Sequence, residues 1–179
     1  MFIETPRLRL RPLTLVDFEA IYAVIGDPLT MRFYPAPYDK QGTLDWIERN
    51  LRRYEKDGTS LHAVVLKSTN ETIGDCGPAW QETDAGRELE IGYHIRRDCW
   101  GHGYATEAAK AAMTYAFENF AVDHLISLIR PDNIPSRRVA EKNGLRIDRE
   151  IEWKGIRHFV YAIGREEFAH RTSQSSQQL

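Results

Sequence analysis

Apolar and polar positions divide this chain into short segments that switch between a period of two and a period near 3.6. Arg7 to Leu13 alternates, with Leu8, Leu10 and Leu13 set among basic residues, the pattern of a half-buried strand. Thr14 and Asp17 then open a helix whose apolar side holds Phe18, Ile21, Tyr22 and Ile25, and Gly26-Asp27-Pro28 stops it. Leu29 to Gln41 has no period but carries Met31, Phe33, Tyr34 and Tyr38. A loop this aromatic either packs on the core or lines a cleft. Thr43 is the predicted cap of a second helix reaching Lys56, with Leu44, Ile47, Leu51 and Tyr54 on one side. Leu61 to Leu66, a partner from Thr72 onward, and Glu88 to Ile95 predict three consecutive antiparallel strands joined by polar turns.

The most sustained helical period comes next. Ala105, Ala108, Ala109, Ala112, Met113, Ala116, Phe117 and Phe120 fall at the i, i+3, i+4, i+7 spacing of one helix face. His124 to Arg130 then predicts a buried strand, and Pro135 to Lys142 a short helix ended by Asn143-Gly144. Leu145 to Trp153 and Ile156 to Gly164 predict a terminal hairpin about Lys154-Gly155. From His170 to Leu179 the chain is rich in Ser and Gln without a period, the composition of a disordered tail. The order βααβββαβαββ predicts one α/β domain of mixed α+β type over residues 1–169. Its central sheet is expected to be mixed, mostly antiparallel and six- to seven-stranded, with about four flanking helices.

Composition adds exclusions. At 179 residues the chain suffices for one well-buried core. A net charge of -2 and the absence of a Lys/Arg block argue against nucleic acid as a direct partner. No run approaches the roughly 20 apolar residues of a membrane span, and the N-terminus has no signal-peptide core. Cys76 and Cys99 are the only cysteines and lack partners at metal spacing, so no metal and a reduced, cytoplasmic setting are expected.

Between the strand ending at Ile95 and the alanine-rich helix stands Arg96-Arg97-Asp98-Cys99-Trp100-Gly101-His102-Gly103. Strand, glycine turn and helix start aim free backbone N–H groups and the positive end of a helix dipole at an anion, and a phosphate fits best. A P-loop would need Gly-Lys-Ser/Thr where Gly103-Tyr104-Ala105 stands. A dinucleotide fingerprint would need a third glycine where Thr106 stands, in an early parallel βαβ unit.

Trp100-Gly101-His102-Gly103-Tyr104-Ala105-Thr106-Glu107-Ala108 resembles the acyl-CoA pyrophosphate loop of the GCN5-related N-acetyltransferase (GNAT) superfamily. Three further features are similar to its RimJ/RimL-like branch, which acetylates ribosomal-protein N-termini. They are Thr5-Pro6-Arg7-Leu8-Arg9-Leu10-Arg11, Glu90-Ile91-Gly92-Tyr93, and Asn133-x-x-Ser136 followed by Glu141-Lys142-Asn143-Gly144-Leu145. The resemblance covers residues 5 to 168. It implies acetyl-CoA as cosubstrate and direct transfer to a primary amine, without metal or covalent nucleophile. It also implies that the backbone amides of Gly101, His102, Gly103, Tyr104, Ala105 and Thr106 hold the pyrophosphate. On the same grounds the backbone of His94, Ile95 and Arg96 pairs with the pantetheine arm, Arg96 and Arg97 supply charge near the phosphates, and Asn133 bonds the pantetheine. There are two departures. Trp100 replaces the usual Gln or Arg, and Ala140 stands where many members place the tyrosine that protonates the leaving thiolate.

Amide formation from a thioester needs an amine stripped of its proton, a stabilised carbonyl oxygen and a protonated thiolate. Glu90 is the candidate base, with Glu88 as its replacement and Glu150 and Glu152 as weaker choices. A backbone N–H near His94 or Ile95 is the candidate for the oxygen. Ser136 is the candidate hydroxyl for the thiolate, and a helix cap is its other role. His62, His94, His102 and His158 are scattered and expected to be structural or exposed; Cys99 is expected to be inert. The acceptor implied is a protein N-terminus, the alternative a small amine such as an amino acid, polyamine or aminoglycoside. The aromatic loop and the terminal hairpin are its expected walls. A wide acidic groove would suit a basic peptide, and a closed pocket a small molecule. A non-catalytic acyl-CoA-binding module is the rival from another class, kept open by Ala140. Monomer and homodimer both fit the sequence.

Overall fold

The computed structural model describes residues 3–176. One eight-stranded sheet runs in the order β1-β2-β3-β4-β5-β6-β8-β7. Its strands are β1 (Ile3–Glu4), β2 (Leu8–Pro12), β3 (His62–Leu66), β4 (Thr72–Thr83), β5 (Gly86–Ile95), β6 (His124–Ile129), β7 (Arg146–Trp153) and β8 (Ile156–Gly164). Neighbours are antiparallel throughout, except that β5 and β6 are parallel. The sheet therefore has more strands than the expected six to seven. One reason is β1, a two-residue strand held on β2 by Ile3↔Leu10 and Glu4↔Arg9, too short to show a period.

Five α-helices surround the sheet: α1 (Phe18–Ile25), α2 (Lys40–Asp57), α3 (Tyr104–Asn119), α4 (Ile134–Lys142) and α5 (Arg165–Ser176). The last replaces most of the disordered tail expected from His170, and residues 177–179 of that tail lie outside the described residues. Phe168, its ring tilted against that of Phe117 with centres 5.2 Å apart, is its buried anchor. A single apolar anchor leaves no helical period to detect. Helix α2 also starts a turn earlier than predicted. Asp39, not Thr43, is its cap, accepting from the Gly42 N–H at 2.7 Å, while the buried Thr43 hydroxyl donates to the Asp39 carbonyl.

One sheet face packs on α3, α4 and α5. The small Ala108, Ala109, Ala112 and Ala116 are fully buried there and let α3 lie close to Leu8, Leu10, Ile73, Leu89 and Ile91. The other face packs on α1 and α2 through Ile21, Val24, Ile25, Trp46 and Ile47. Strand β5 serves both. Its Leu89, Ile91 and Ile95 enter the α3 core, so Glu90 and His94 turn toward α1 and α2 by the period of two. Pairing between β5 and β6 is confined to Glu90↔Ile126. Toward the C-terminal end of β5 the two strands part, and the last link is Ser127 Oγ donating to the Ile91 carbonyl at 2.8 Å.

Candidate active site

The parting leaves one edge of β5 without a strand partner just before the glycine turn. The Arg96 N–H donates to Ile73 on β4, and an added Cβ at Gly74 would overlap the His94 carbonyl. His94 and Arg96 therefore direct their backbone groups at β4, while Ile91, Tyr93 and Ile95 direct theirs into the gap. The Ile91 carbonyl is taken by Ser127 and the Ile95 carbonyl by the Trp100 indole at 2.7 Å. The backbone around Tyr93 stays available. Among the residues foreseen to pair there, Ile95 faces the gap and His94 does not.

Gly101 and Gly103 have φ of 78° and 80°, left-handed values that favour glycine. A Cβ on Gly101 would meet nothing within 4 Å, so the loop surface is open there. Gly103 caps α3 without a side-chain bond. None of the N–H groups from Gly101 to Thr106 donates to another group among the described residues. Six N–H groups without partners around a helix start make the kind of surface that binds anions. The opening motif clamps this loop from outside. The Arg7 guanidinium bonds the Glu107 carboxylate at 2.7 Å and the His102 carbonyl at 2.9 Å, and lies 4.7 Å from the Tyr104 ring centre. Thr5 Oγ1 donates to Glu107 at 2.6 Å. Arg96 is held by Asp98 at 2.7 Å and Glu71 at 3.7 Å, whereas Arg97 is exposed and has no ion pair among the described residues. Of the two arginines, Arg97 is the one free to meet an anion. His102 is exposed, stacked on Tyr104 with its Nδ1 on the Trp100 carbonyl.

Across the gap, Asn133 caps α4 by accepting from the Ser136 N–H at 3.2 Å. The Ser136 hydroxyl donates to the Tyr93 hydroxyl at 3.0 Å, which donates to the Ser136 carbonyl at 2.9 Å. Burial raises the Tyr93 pKa, so the phenol stays protonated near neutrality. Ala140, where the family tyrosine would stand, is 2% exposed within the core. The phenol of this site thus comes from β5 rather than α4. Its signal was the tyrosine in the Glu90-to-Tyr93 motif, on the side of the strand opposite Glu90.

Among the candidate carboxylates, Glu90 has a raised pKa. Burial is the cause, opposed by Gln81 Nε2 donating at 2.7 Å and the Leu128 N–H donating at 3.3 Å. Burial pushes the Glu88 pKa up, but the Thr83 hydroxyl, His124 at 2.9 Å and Arg149 at 2.6 Å outweigh it and lower the pKa. Glu150 pairs with Arg157 at 2.5 Å, and Glu152 is exposed. The buried Cys99 thiol is pushed up by burial and then Asp98, which agrees with an inert cysteine.

His94 has a role that its isolation in sequence did not suggest. Its Nδ1 is 2.7 Å from Asp75 Oδ1, its Nε2 is 2.7 Å from the Tyr34 hydroxyl, and the Trp46 indole donates to Asp75 Oδ2 at 2.9 Å. Asp75 and His94 are buried, while Tyr34 is 39% exposed. The chain Trp46–Asp75–His94–Tyr34 thus links the aromatic loop to the strand that carries Glu90. Among the described residues no cluster of three His, Cys, Asp or Glu side chains is placed to hold a metal, and no helix is long and apolar enough to cross a membrane.

The sequence model of the acetyltransferase (GNAT) domain family matches residues 7–146. The protein YkkB of Bacillus subtilis (strain 168) is 36% identical over 150 residues, 83% of this chain and 87% of that protein. The crystal structure of a GNAT-family acetyltransferase from Bacillus anthracis superposes with a TM-score of 0.79 at 28% identity, covering 93% of this chain and all of that one. The ribosomal alpha-N-protein acetyltransferase RimL in complex with coenzyme A superposes at 0.67 and 17% identity, over 92% of this chain and 98% of that one. At that identity the likeness is one of fold.

Proposed function

Because this chain belongs to the GNAT acetyltransferase family and is an N-acetyltransferase, we propose that it moves an acetyl group from acetyl-CoA directly to a primary amine held beside Glu90. A protein N-terminus is the first acceptor class and a small amine the second. We place the enzyme in the cytoplasm, where its free Cys76 and Cys99 stay reduced.

One observation carries the reading. Glu90 turns to the α1–α2 face and Tyr93 to the α3 face, on either side of a gap whose backbone lip leads into six free N–H groups. A thioester lying in that gap meets an amine from the Glu90 side and releases a thiolate toward Ser136 and Tyr93. Glu90 takes the proton of the incoming ammonium, and its raised pKa matches it to that task. The N–H of Ile95 or Tyr93 faces the carbonyl oxygen as charge develops on it. The Ser136 hydroxyl, turning its proton away from the Tyr93 phenol to which it donates at 3.0 Å, hydrogen-bonds the departing sulfur. The main-chain donors from Gly101 to Thr106, with Arg97, hold the pyrophosphate.

The test is thiol release from acetyl-CoA, with products identified by mass, over peptides with free N-termini and a panel of small amines. Turnover is expected to fall on the order of 100-fold or more in Glu90→Gln and about 10-fold in Ser136→Ala. Coenzyme A binding without turnover in the natural chain, unaltered by both substitutions, sinks the assignment and restores the non-catalytic reading.

A further inference from the structure

The acceptor side carries a concentration of positive charge that the transfer chemistry does not require. Arg49 and Arg53 lie one turn apart on α2. The Arg49 guanidinium sits 4.6 Å from the ring centre of Trp46, which stands edge-on to His94 at 5.3 Å. From the β7–β8 turn, Lys154 places its ammonium 4.0 Å from the ring centre of Trp153, whose indole donates to the Glu82 carbonyl at 3.0 Å. Arg49 and Arg53 also line a cavity of about 600 Å³, together with Lys56 and Arg87. With Arg52 the cavity lining holds five cations against two carboxylates, Glu82 and the Asp57 that is bound to Arg87 and also felt by Arg53, so the positive charge is not balanced there.

No carboxylate lies within ion-pair distance of Arg49, Arg53 or Lys154 among the described residues. The three press on one another. Burial and then Arg49 lower the Arg53 pKa, and burial, Arg49 and Arg53 lower that of Lys154. Both of those cations also feel the charge of Glu90. Like charges gathered at a surface raise the free energy of the fold, and an anionic ligand relieves that repulsion.

We infer that the acceptor amine carries a carboxylate or phosphate, which binds Arg49, Arg53 and Lys154 while the amine reaches Glu90. The inference rests on Glu90 marking the acceptor side. It replaces the acidic groove that a basic peptide would need with a basic wall. The anion has two possible sources, an acidic side chain near a protein N-terminus or the acid group of a small amine.

The experiment compares kcat/KM across acceptors matched in size and differing in charge. One arm uses peptides with Asp or Glu, Asn or Gln, or Lys at the second and third positions. The other uses amino acids and phosphorylated amines against their uncharged amides and alcohols. Acidic acceptors are expected to exceed neutral counterparts at least tenfold, in KM more than kcat, and the arm that responds identifies the source. The excess should shrink with added salt. In Arg49→Gln/Arg53→Gln it should narrow to under threefold, and Arg49→Lys/Arg53→Lys should restore most of it.

A second readout needs no turnover. The N-acetylated acidic products should raise the melting temperature of the natural chain more than neutral ones do, and that difference should vanish in the double Gln variant. Equal kcat/KM for acidic and neutral acceptors, or equal protection by both products, overturns the charge inference and leaves the transferase reading intact. Failure of every acceptor, with protection by acidic products retained, counts against the transferase reading instead.

Discussion

The two sides of the β5–β6 gap are built from different materials. The side we propose for the donor is mostly main chain: the free lip around Tyr93, the N–H groups from Gly101 to Thr106, and a cap at Asn133. The side we propose for the acceptor is side chains: Glu90 against Gln81, His94 between Asp75 and Tyr34, and the arginines of α2. A surface of backbone donors depends on conformation and tolerates exchange at many positions. A surface of side chains can be rewritten one residue at a time. An enzyme that keeps one donor and varies its acceptor is well served by this division.

The largest effect should come from the acceptor side. Burial raises the Glu90 pKa, so with Glu90 as the proposed base the rate should rise with pH as this carboxyl ionises above the usual carboxylate range. In Glu90→Gln the rate should fall on the order of 100-fold or more and that acid limb should disappear. A limb that survives in this variant belongs to another group and removes Glu90 from the role.

Next in size is the hydrogen-bonded chain. His94→Leu removes both ring contacts and leaves the buried Asp75 carboxylate with the Trp46 indole. About 2–4 kcal/mol of stability should be lost, measured by urea unfolding, because a buried charge loses its partner. Tyr34→Phe removes only the outer end and should cost about 1 kcal/mol. Equal losses in the two variants would mean that Asp75 does not depend on His94.

The smallest effect tests the clamp. Arg7→Ala breaks the link from Glu107 to the His102 carbonyl, but Arg7 is half exposed and an exposed pair contributes at most about 1 kcal/mol. The melting temperature should barely move. Coenzyme A should bind roughly 3- to 10-fold more weakly as the loop loosens, with kcat preserved. A loss of kcat at unchanged affinity would take Arg7 out of the donor side.

The same division explains what could be read from sequence. The glycine turn was legible because its two left-handed residues, its helix and its strand are contiguous, and glycine reports backbone conformation directly. The opening Thr5-to-Arg11 motif stood out as a pattern, yet its purpose, closing on Glu107 about 100 residues away, appeared only in three dimensions. Tyr34, Asp75 and His94 meet across 60 and 19 residues, and nothing local marks them as partners. Glu90 was separable from Glu88 only by its neighbours: one faces Gln81, the other Arg149 and His124. The cap at Asp39 was missed because Gln41-Gly42-Thr43 looks like a loop leading to a cap at Thr43. Helix α5 was missed because its one apolar anchor, Phe168, sits near the start of a polar segment.

The central claim is that donor binding and acceptor chemistry are separable. Calorimetric titration of coenzyme A into the natural chain, Glu90→Gln and Gly103→Val tests it most directly. Gly103 holds φ at 80°, a conformation a β-branched residue adopts only with strain, so valine should disturb the start of α3 and its donors. The account predicts that Glu90→Gln binds coenzyme A within about twofold of the natural chain despite its lost turnover, and that Gly103→Val binds at least about tenfold more weakly. Unchanged binding in Gly103→Val, or weakened binding in Glu90→Gln, would contradict it.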